Sequence, residues 1–176
     1  MVSSSWYLEA PKKRIKKQTH MKTTKILSLI MLVLLAAGCK NDNWLDWKVQ
    51  NELWLIQNGQ KTDVITTPTG LQYKCIEKGW DKGTRPDDAK IVVIDYEGKL
   101  INGYVFGSAK EYPNNVSAFV AGFAEGLKKM NLFGEYEFYI PYNLGYGEEG
   151  TGTEGSSLFI PPYSTLIFRV YLHSAY

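Results

Sequence analysis

The 176-residue chain is 44% hydrophobic and 14% aromatic, enough apolar content for one packed domain and too much for a disordered chain. Its net charge of +2 conceals an asymmetry: residues 1–38 hold seven Lys/Arg and one acid, Glu9, leaving thirteen Lys/Arg against seventeen Asp/Glu beyond them, a net of −4. An acidic body argues against nucleic-acid binding, and two histidines, His20 and His173, are too few and too far apart for a Ser-His-Asp or Cys-His centre.

The chain opens with a basic run, Lys12-Lys13-Arg14-Ile15-Lys16-Lys17, which taken alone reads as a nuclear or nucleic-acid patch. The next segment outweighs that reading. Met21-Lys22-Thr23-Thr24-Lys25 is a short basic start, and Ile26 to Ala37 is an apolar run of about twelve residues, shorter than the roughly 20 needed to span a bilayer as a helix. Basic flank, short apolar run and small residues describe a secretory signal. Its end, Leu35-Ala36-Ala37-Gly38-Cys39, resembles a bacterial lipobox, although leucine usually stands where Ala36 does. The expectation is an upstream extension over 1–20, a signal peptide from Met21 (or from Met1) to residue 38, and lipidation at Cys39. An ordinary signal peptide with an incidental cysteine is the alternative. Cys75 is then left without an intramolecular partner and is expected to be a buried small hydrophobe, with a Cys39–Cys75 disulfide as the other reading.

Residues 39–65 are expected to form a polar tether and a helix. Trp44, Trp47, Trp54 and Leu55 share a helical face, and Asn58-Gly59 is a stop signal. That face suits packing on the following domain, self-association into a homodimer, or a membrane surface near the lipid. The turn Thr66-Thr67-Pro68-Thr69-Gly70 marks the expected boundary of a domain over 66–176.

Within that domain the period changes from helical to strand-like. Leu71, Tyr73 and Cys75 alternate with polar residues. Lys90–Leu100 is predicted as a long strand, and Asn102-Gly103 as a hairpin turn, since both residues tolerate positive φ. The chain returns at Tyr104-Val105-Phe106, and Pro113-Asn114-Asn115 reads as irregular. Phe119–Met130 is the one short helix. Glu135–Ile140 alternates, with Tyr136, Phe138 and Ile140 on one face. A glycine-rich loop, 145–157, precedes a terminal strand, Thr165–Leu172. The fold class is α+β: an antiparallel sheet half-wrapped around one short helix, preceded by an N-terminal helix.

Other chemistries lack their parts. No His, Cys and carboxylate cluster has metal-ligand spacing. The 145–155 loop has no following Lys-Ser/Thr, and Glu148, Glu149 and Glu154 would repel phosphate. No cofactor is implied.

Several segments together carry a family resemblance. Thr69-Gly70-Leu71-Gln72-Tyr73, then Val93-Ile94-Asp95-Tyr96-Glu97-Gly98-Lys99-Leu100 with Asn102-Gly103 and Phe106, then Phe119-Val120-Ala121-Gly122-Phe123-Ala124-Glu125-Gly126-Leu127, then Ile140-Pro141-Tyr142-Asn143-Leu144-Gly145-Tyr146-Gly147, and finally Ile160-Pro161-Pro162 occur in order. The chain from about Thr67 to Leu172 thus resembles the FK506-binding-protein family of peptidyl-prolyl cis-trans isomerases. The resemblance implies a site that twists an X–Pro bond in proline-containing polypeptides without metal, cofactor or nucleophile. It implies Phe123 under the proline ring, Tyr96, Phe106, Phe119, Val120 and Phe168 as walls, Tyr146 as hydroxyl donor, the Val120 N–H as a second donor, and Ile160 at the opening.

Three departures stand out. Gly107 occupies the position where the family commonly has aspartate. Phe123 replaces the usual tryptophan. The loop between Gly147 and Phe159 is longer than in compact members. The expectation is a lipid-anchored isomerase of the bacterial cell envelope, of reduced activity because of Gly107 and Phe123. A non-catalytic peptide-binding module or holdase chaperone is the alternative, and a glycan-binding lipoprotein is a further one prompted by the many Tyr and Trp.

Overall fold

The computed structural model describes residues 43–82, 85–86 and 90–176. The expected signal peptide, the lipobox-like run and Cys39 lie outside the described residues. Asn43–Tyr176 forms one compact unit. Its elements are helix α1 (Asn43–Asn58), strands β1 (Ile65–Thr66), β2 (Gln72–Glu77), β3 (Ile91–Lys99) and β4 (Val105–Asn115), helix α2 (Ala121–Leu127), and strands β5 (Glu135–Ile140) and β6 (Leu166–Ala175). Two single turns of 3-10 helix, Val116–Ala118 and Tyr142–Leu144, lie in the connections. No helix among the described residues is long and apolar enough to cross a membrane.

The six strands form one sheet in the order β1-β2-β5-β6-β3-β4, every neighbouring pair antiparallel. Side chains alternate across it, so each strand serves two faces. Ile94, Phe138, Ile140, Leu166, Phe168 and Val170 share the inner core with Phe123 and Leu127 of α2. α2 is shorter than the expected Phe119–Met130: it runs Ala121–Leu127, with Val120 as an N-cap residue that makes no side-chain cap bond and Lys128 as its C-cap. It is therefore a plug for the concave face more than an independent helix.

α1 covers part of the outer face. Tyr139, Ile167 and Val64 form a second buried cluster against Trp54 and Leu55. The Trp54 and Tyr139 rings lie 5.7 Å apart. Two buried asparagines fix the helix on the domain. Asn51 Oδ1 accepts from the Thr165 N–H at 2.7 Å, and Asn58 Nδ2 donates to Gln72 Oε1 at 2.9 Å. Buried amides require such partners, and their geometry leaves the helix little freedom to slide. Trp47 Nε1 adds a hydrogen bond to Ser164 Oγ at 3.0 Å. Of the three uses expected for the tryptophan face, packing on the domain is the one observed.

Three expectations need correcting. Pro113-Asn114-Asn115 is not irregular: it continues β4, with Val93 opposite Pro113 and Ile91 opposite Asn115. Proline is tolerated there because β4 is an edge strand and need not donate outward. β6 runs three residues past Leu172, to Ala175. Cys75 is exposed, not buried. Period-two alternation assigns a residue to a side of the sheet but does not say that anything covers that side, and β2 loses its cover along its length.

Candidate functional site

The inner face holds a cavity of about 560 Å³ between β3, β4, α2 and the 145–160 loop. All eight residues singled out from the sequence line it: Tyr96, Phe106, Phe119, Val120, Phe123, Tyr146, Ile160 and Phe168. They come from five different segments, and local geometry brings each one in. Tyr96 sits on β3, pointing inward like Ile94 two residues earlier. Phe106 returns from the hairpin, whose turn is closed by the Gly103 N–H to the Leu100 carbonyl at 2.9 Å and by the Tyr104 N–H to Asn102 Oδ1 at 3.0 Å. Phe119 and Val120 precede α2, and Phe123 lies one turn into it.

Phe123 is the floor. It is 2% exposed, stacked on Phe119 with ring centroids 4.5 Å apart, and edge-on to Phe168 at 4.8 Å and to Phe138 at 5.6 Å. Tyr96 meets both Phe123 and Phe168 edge-on, and Phe106 meets Phe168 at 5.4 Å. Edge-to-face pairs of this kind hold rings in fixed orientations and add roughly 0.5–1.5 kcal/mol each beyond area burial. The close approach of the Phe106 and Phe168 rings depends on Gly98, where a Cβ would lie 2.6 Å from both.

The loop wall is also fixed. Thr151 and Ile160 exchange backbone hydrogen bonds, each 2.9 Å, which seat Ile160 at the cavity. The loop turns back at Gly150, whose φ of +67° and approach to the Ile160 carbonyl oxygen leave no room for a Cβ. Trp44 of α1 packs edge-on against Phe159 behind it. Tyr146 stands at the mouth, 39% exposed.

No charged side chain lines the cavity among the described residues. Its polar groups are hydroxyls and amides. Burial, with Tyr112 and Tyr146 nearby, raises the Tyr96 phenol above its usual pKa, so it stays protonated at neutral pH. No group of three or more His, Cys, Asp or Glu side chains able to hold a metal ion occurs among the described residues. The arrangement can enclose an apolar ring on an aromatic floor and present neutral O–H donors at its rim.

Sequence reasoning missed Tyr112, Asn114, Thr151 and Leu158, which also line the cavity. Tyr112 reaches it because β4 bulges between its pairings with Tyr96 and Ile94, and the Tyr112 ring stands edge-on to Tyr96 at 5.9 Å. The aromatic at that strand position was a usable signal; the bulge that aims it was not.

A second cavity, about 690 Å³, lies on the outer face and is of opposite character. Asp95, Glu97, Glu135, Arg169 and His173 are among its lining residues. Its charged, open lining suits no apolar ring.

A family model described as "FKBP-type peptidyl-prolyl cis-trans isomerase" matches residues 82–173, more than half of the chain. The chain belongs to the FKBP-type peptidyl-prolyl cis-trans isomerase family. The inner cavity of this FKBP-type chain lies largely within the matched segment. A Neisseria meningitidis protein named "Probable FKBP-type peptidyl-prolyl cis-trans isomerase FkpA" is 40% identical over 129 residues, covering 71% of this chain and 45% of that protein. The 22 kDa FKBP-type isomerase of Escherichia coli is 38% identical, covering 68% of this chain and 56% of that protein. The chain thus spans about half the length of these curated relatives. Among solved structures, FkpA from Escherichia coli superposes with a TM-score of 0.66 at 26% identity, covering 94% of this chain and 73% of that one. These likenesses agree with the FKBP-type fold of one short helix against an antiparallel sheet.

Proposed function

We propose that this chain is a peptidyl-prolyl cis-trans isomerase acting on X–Pro bonds of unfolded or exported polypeptides. The observation that carries the reading is the uncharged aromatic box around Phe123 with Tyr146 at its mouth.

Amide resonance sets a barrier of about 18–20 kcal/mol to rotation about the bond. Twisting costs conjugation and requires no proton transfer. A proline ring seated on Phe123, between Tyr96, Phe106, Phe119 and Phe168, removes the amide from water, which disfavours its polar planar form. The Tyr146 hydroxyl then donates to a substrate carbonyl. The Val120 backbone N–H, at the start of α2, donates to another, and Ile160 closes the side of the box. Donors that fit the twisted form better than the planar one lower the barrier, and each 1.4 kcal/mol or so of such selectivity is about tenfold in rate. Gly107 gives the box no acid and Phe123 gives it no indole N–H, so its turnover is below that of family members carrying both.

The leader sequence supports lipidation at Cys39 and an extracytoplasmic place in the bacterial cell envelope, anchored by lipid. A further likeness is to a Legionella longbeachae protein called outer membrane protein MIP, 33% identical over 131 residues. Leu45, Val49, Leu53 and Ile56 form an exposed apolar stripe on the face of α1 turned away from the domain, which supports a homodimer through that helix.

A protease-coupled assay with a Leu-Pro peptide tests the activity. The chain is expected to accelerate isomerisation in proportion to its concentration, and Tyr146→Phe to slow it about tenfold, the worth of one selective hydrogen bond. No rate above the uncatalysed one, together with suppression of client aggregation that survives Tyr146→Phe and Phe123→Ala, would instead make the chain a holdase.

A further inference from the structure

Asp95 and Tyr96 are adjacent on β3 and point to opposite faces of the sheet. Tyr96 lines the inner cavity, and Asp95 lies outside it. Asp95 also sits where both neighbouring strands lose register. On β4 the pairing jumps from Tyr96↔Ala109 to Ile94↔Tyr112, setting two residues, Lys110 and Glu111, opposite the single Asp95. On β6 it jumps from Val93↔Ser174 to Ile94↔Leu172, leaving His173 extra. One carboxylate oxygen contacts both irregularities: Asp95 Oδ1 accepts from the Glu111 N–H at 2.7 Å and lies 2.7 Å from His173 Nε2.

The bulge on β4 is strained. Glu111 has a φ of +46°, a left-handed conformation that a residue with a Cβ rarely adopts. A bulge re-aims the residues beside it. Here the residue beside it is Tyr112, whose ring is carried onto Tyr96 and into the cavity lining. A charge-assisted bond to the Glu111 N–H offsets the strain. The same bond is the largest influence holding the Asp95 carboxyl below its usual pKa, with the His173 contact adding to it against the opposing effect of burial.

We propose that Asp95 is a positioning residue for the proline pocket: from the outer face, oriented by His173, it braces the strained bulge at Glu111 and so sets Tyr112 against Tyr96 as a wall of the substrate site. The proposal rests on the isomerase reading given above. Asp95 touches no substrate; it acts through the backbone of β4.

The test compares the full chain with Asp95→Ala, Asp95→Asn, Tyr112→Ala, Asp95→Ala/Tyr112→Ala and Asp95→Ala/Glu111→Gly. Four quantities are read: KM and kcat for a Leu-Pro peptide, the affinity of that peptide, and the proton NOE between the Tyr96 and Tyr112 rings. Asp95→Ala is expected to raise KM and weaken binding about fivefold, the worth of one hydrogen bond, with kcat within about twofold, and to abolish the NOE. Asp95→Asn keeps an oxygen for the Glu111 N–H and recovers both signals. Glu111→Gly recovers them in the alanine background, because glycine holds the left-handed conformation without a brace. Asp95→Ala adds nothing on top of Tyr112→Ala. Unchanged affinity and NOE in Asp95→Ala, or effects of Asp95 and Tyr112 that simply add, would overturn the proposal. Should Asp95→Ala fail to fold, Asp95→Asn decides: retention of the NOE and affinity supports the brace, and loss of both in a folded protein overturns it. If the unaltered chain neither binds nor isomerises the peptide, the isomerase reading falls, and the NOE pattern alone still judges the brace.

Discussion

The two faces of the sheet are built from the same strands and solve different problems. On the inner face Phe123, Phe138, Phe168 and Val170 exclude water, and the cavity they leave carries no charge among its described lining residues. On the outer face α1 covers Tyr139 and Ile167, while the rest carries ions such as Arg169 and Glu135, paired at 2.6 Å. Dispersion and burial fix the inner face because nothing else is available there. The exposed ion pairs of the outer face are screened and contribute little. The difference teaches where function sits. The proposed twisting of an amide needs a dry, rigid, neutral box, and among the described residues the inner face offers one. Asp95 is where the two faces communicate, one residue from Tyr96.

Substitutions can break that comparison, beginning with the floor. Phe123→Ala is expected to cost about 3–5 kcal/mol in urea unfolding and to abolish isomerase activity, since the ring is both core and pocket floor. An unchanged midpoint would mean the inner face is not held by this ring. Gly98→Ala drives a Cβ against the Phe106 and Phe168 rings; a loss of about 1–3 kcal/mol with weakened peptide binding is expected. Asn51→Ala leaves the buried Thr165 N–H without its partner and is expected to cost about 1–3 kcal/mol, read by thermal unfolding. Its effect on the pocket tests how far α1 supports the loop that carries Ile160. Arg169→Gln, on the ionic face, is expected to change stability by less than about 1 kcal/mol and activity not at all, because the Arg169 side chain is more than half exposed.

The outer face also has a pH signature. The folded Asp95 carboxyl titrates below its ordinary value of about 3.9, so its stabilising contribution is present above that value and lost as pH falls through the depressed one. Unfolding curves from pH 6 to pH 2 are expected to show the stability gap between the native chain and Asp95→Asn narrowing at the acid end. A constant gap would remove Asp95 from the account of acid sensitivity.

Much of the fold and the pocket is legible in the sequence, for physical reasons that particular residues show. Glu135–Ile140 alternates cleanly, and β5 has those bounds. Asn102-Gly103 encodes its own turn, so the β3–β4 hairpin is expected from it. The family resemblance carried by the ordered motifs implies eight pocket side chains, and these share one cavity. β1 is not legible, because two residues carry no period and exist as a strand only through pairing with Tyr73 and Gln72. Tyr112 escapes a reading by period because its inward aim depends on a bulge held from a neighbouring strand. Cys75 escapes it because its exposure depends on what covers β2. Periodicity reports local geometry; cover and bracing are tertiary.

The most direct measurement of the central claim is two-dimensional exchange NMR on a Leu-Pro peptide with a catalytic amount of the chain. Cis–trans exchange cross-peaks are expected to grow with the concentration of the chain, with a rate about tenfold lower for Tyr146→Phe, and to vanish with Phe123→Ala. Exchange no faster than in the free peptide at high enzyme concentration would contradict that claim.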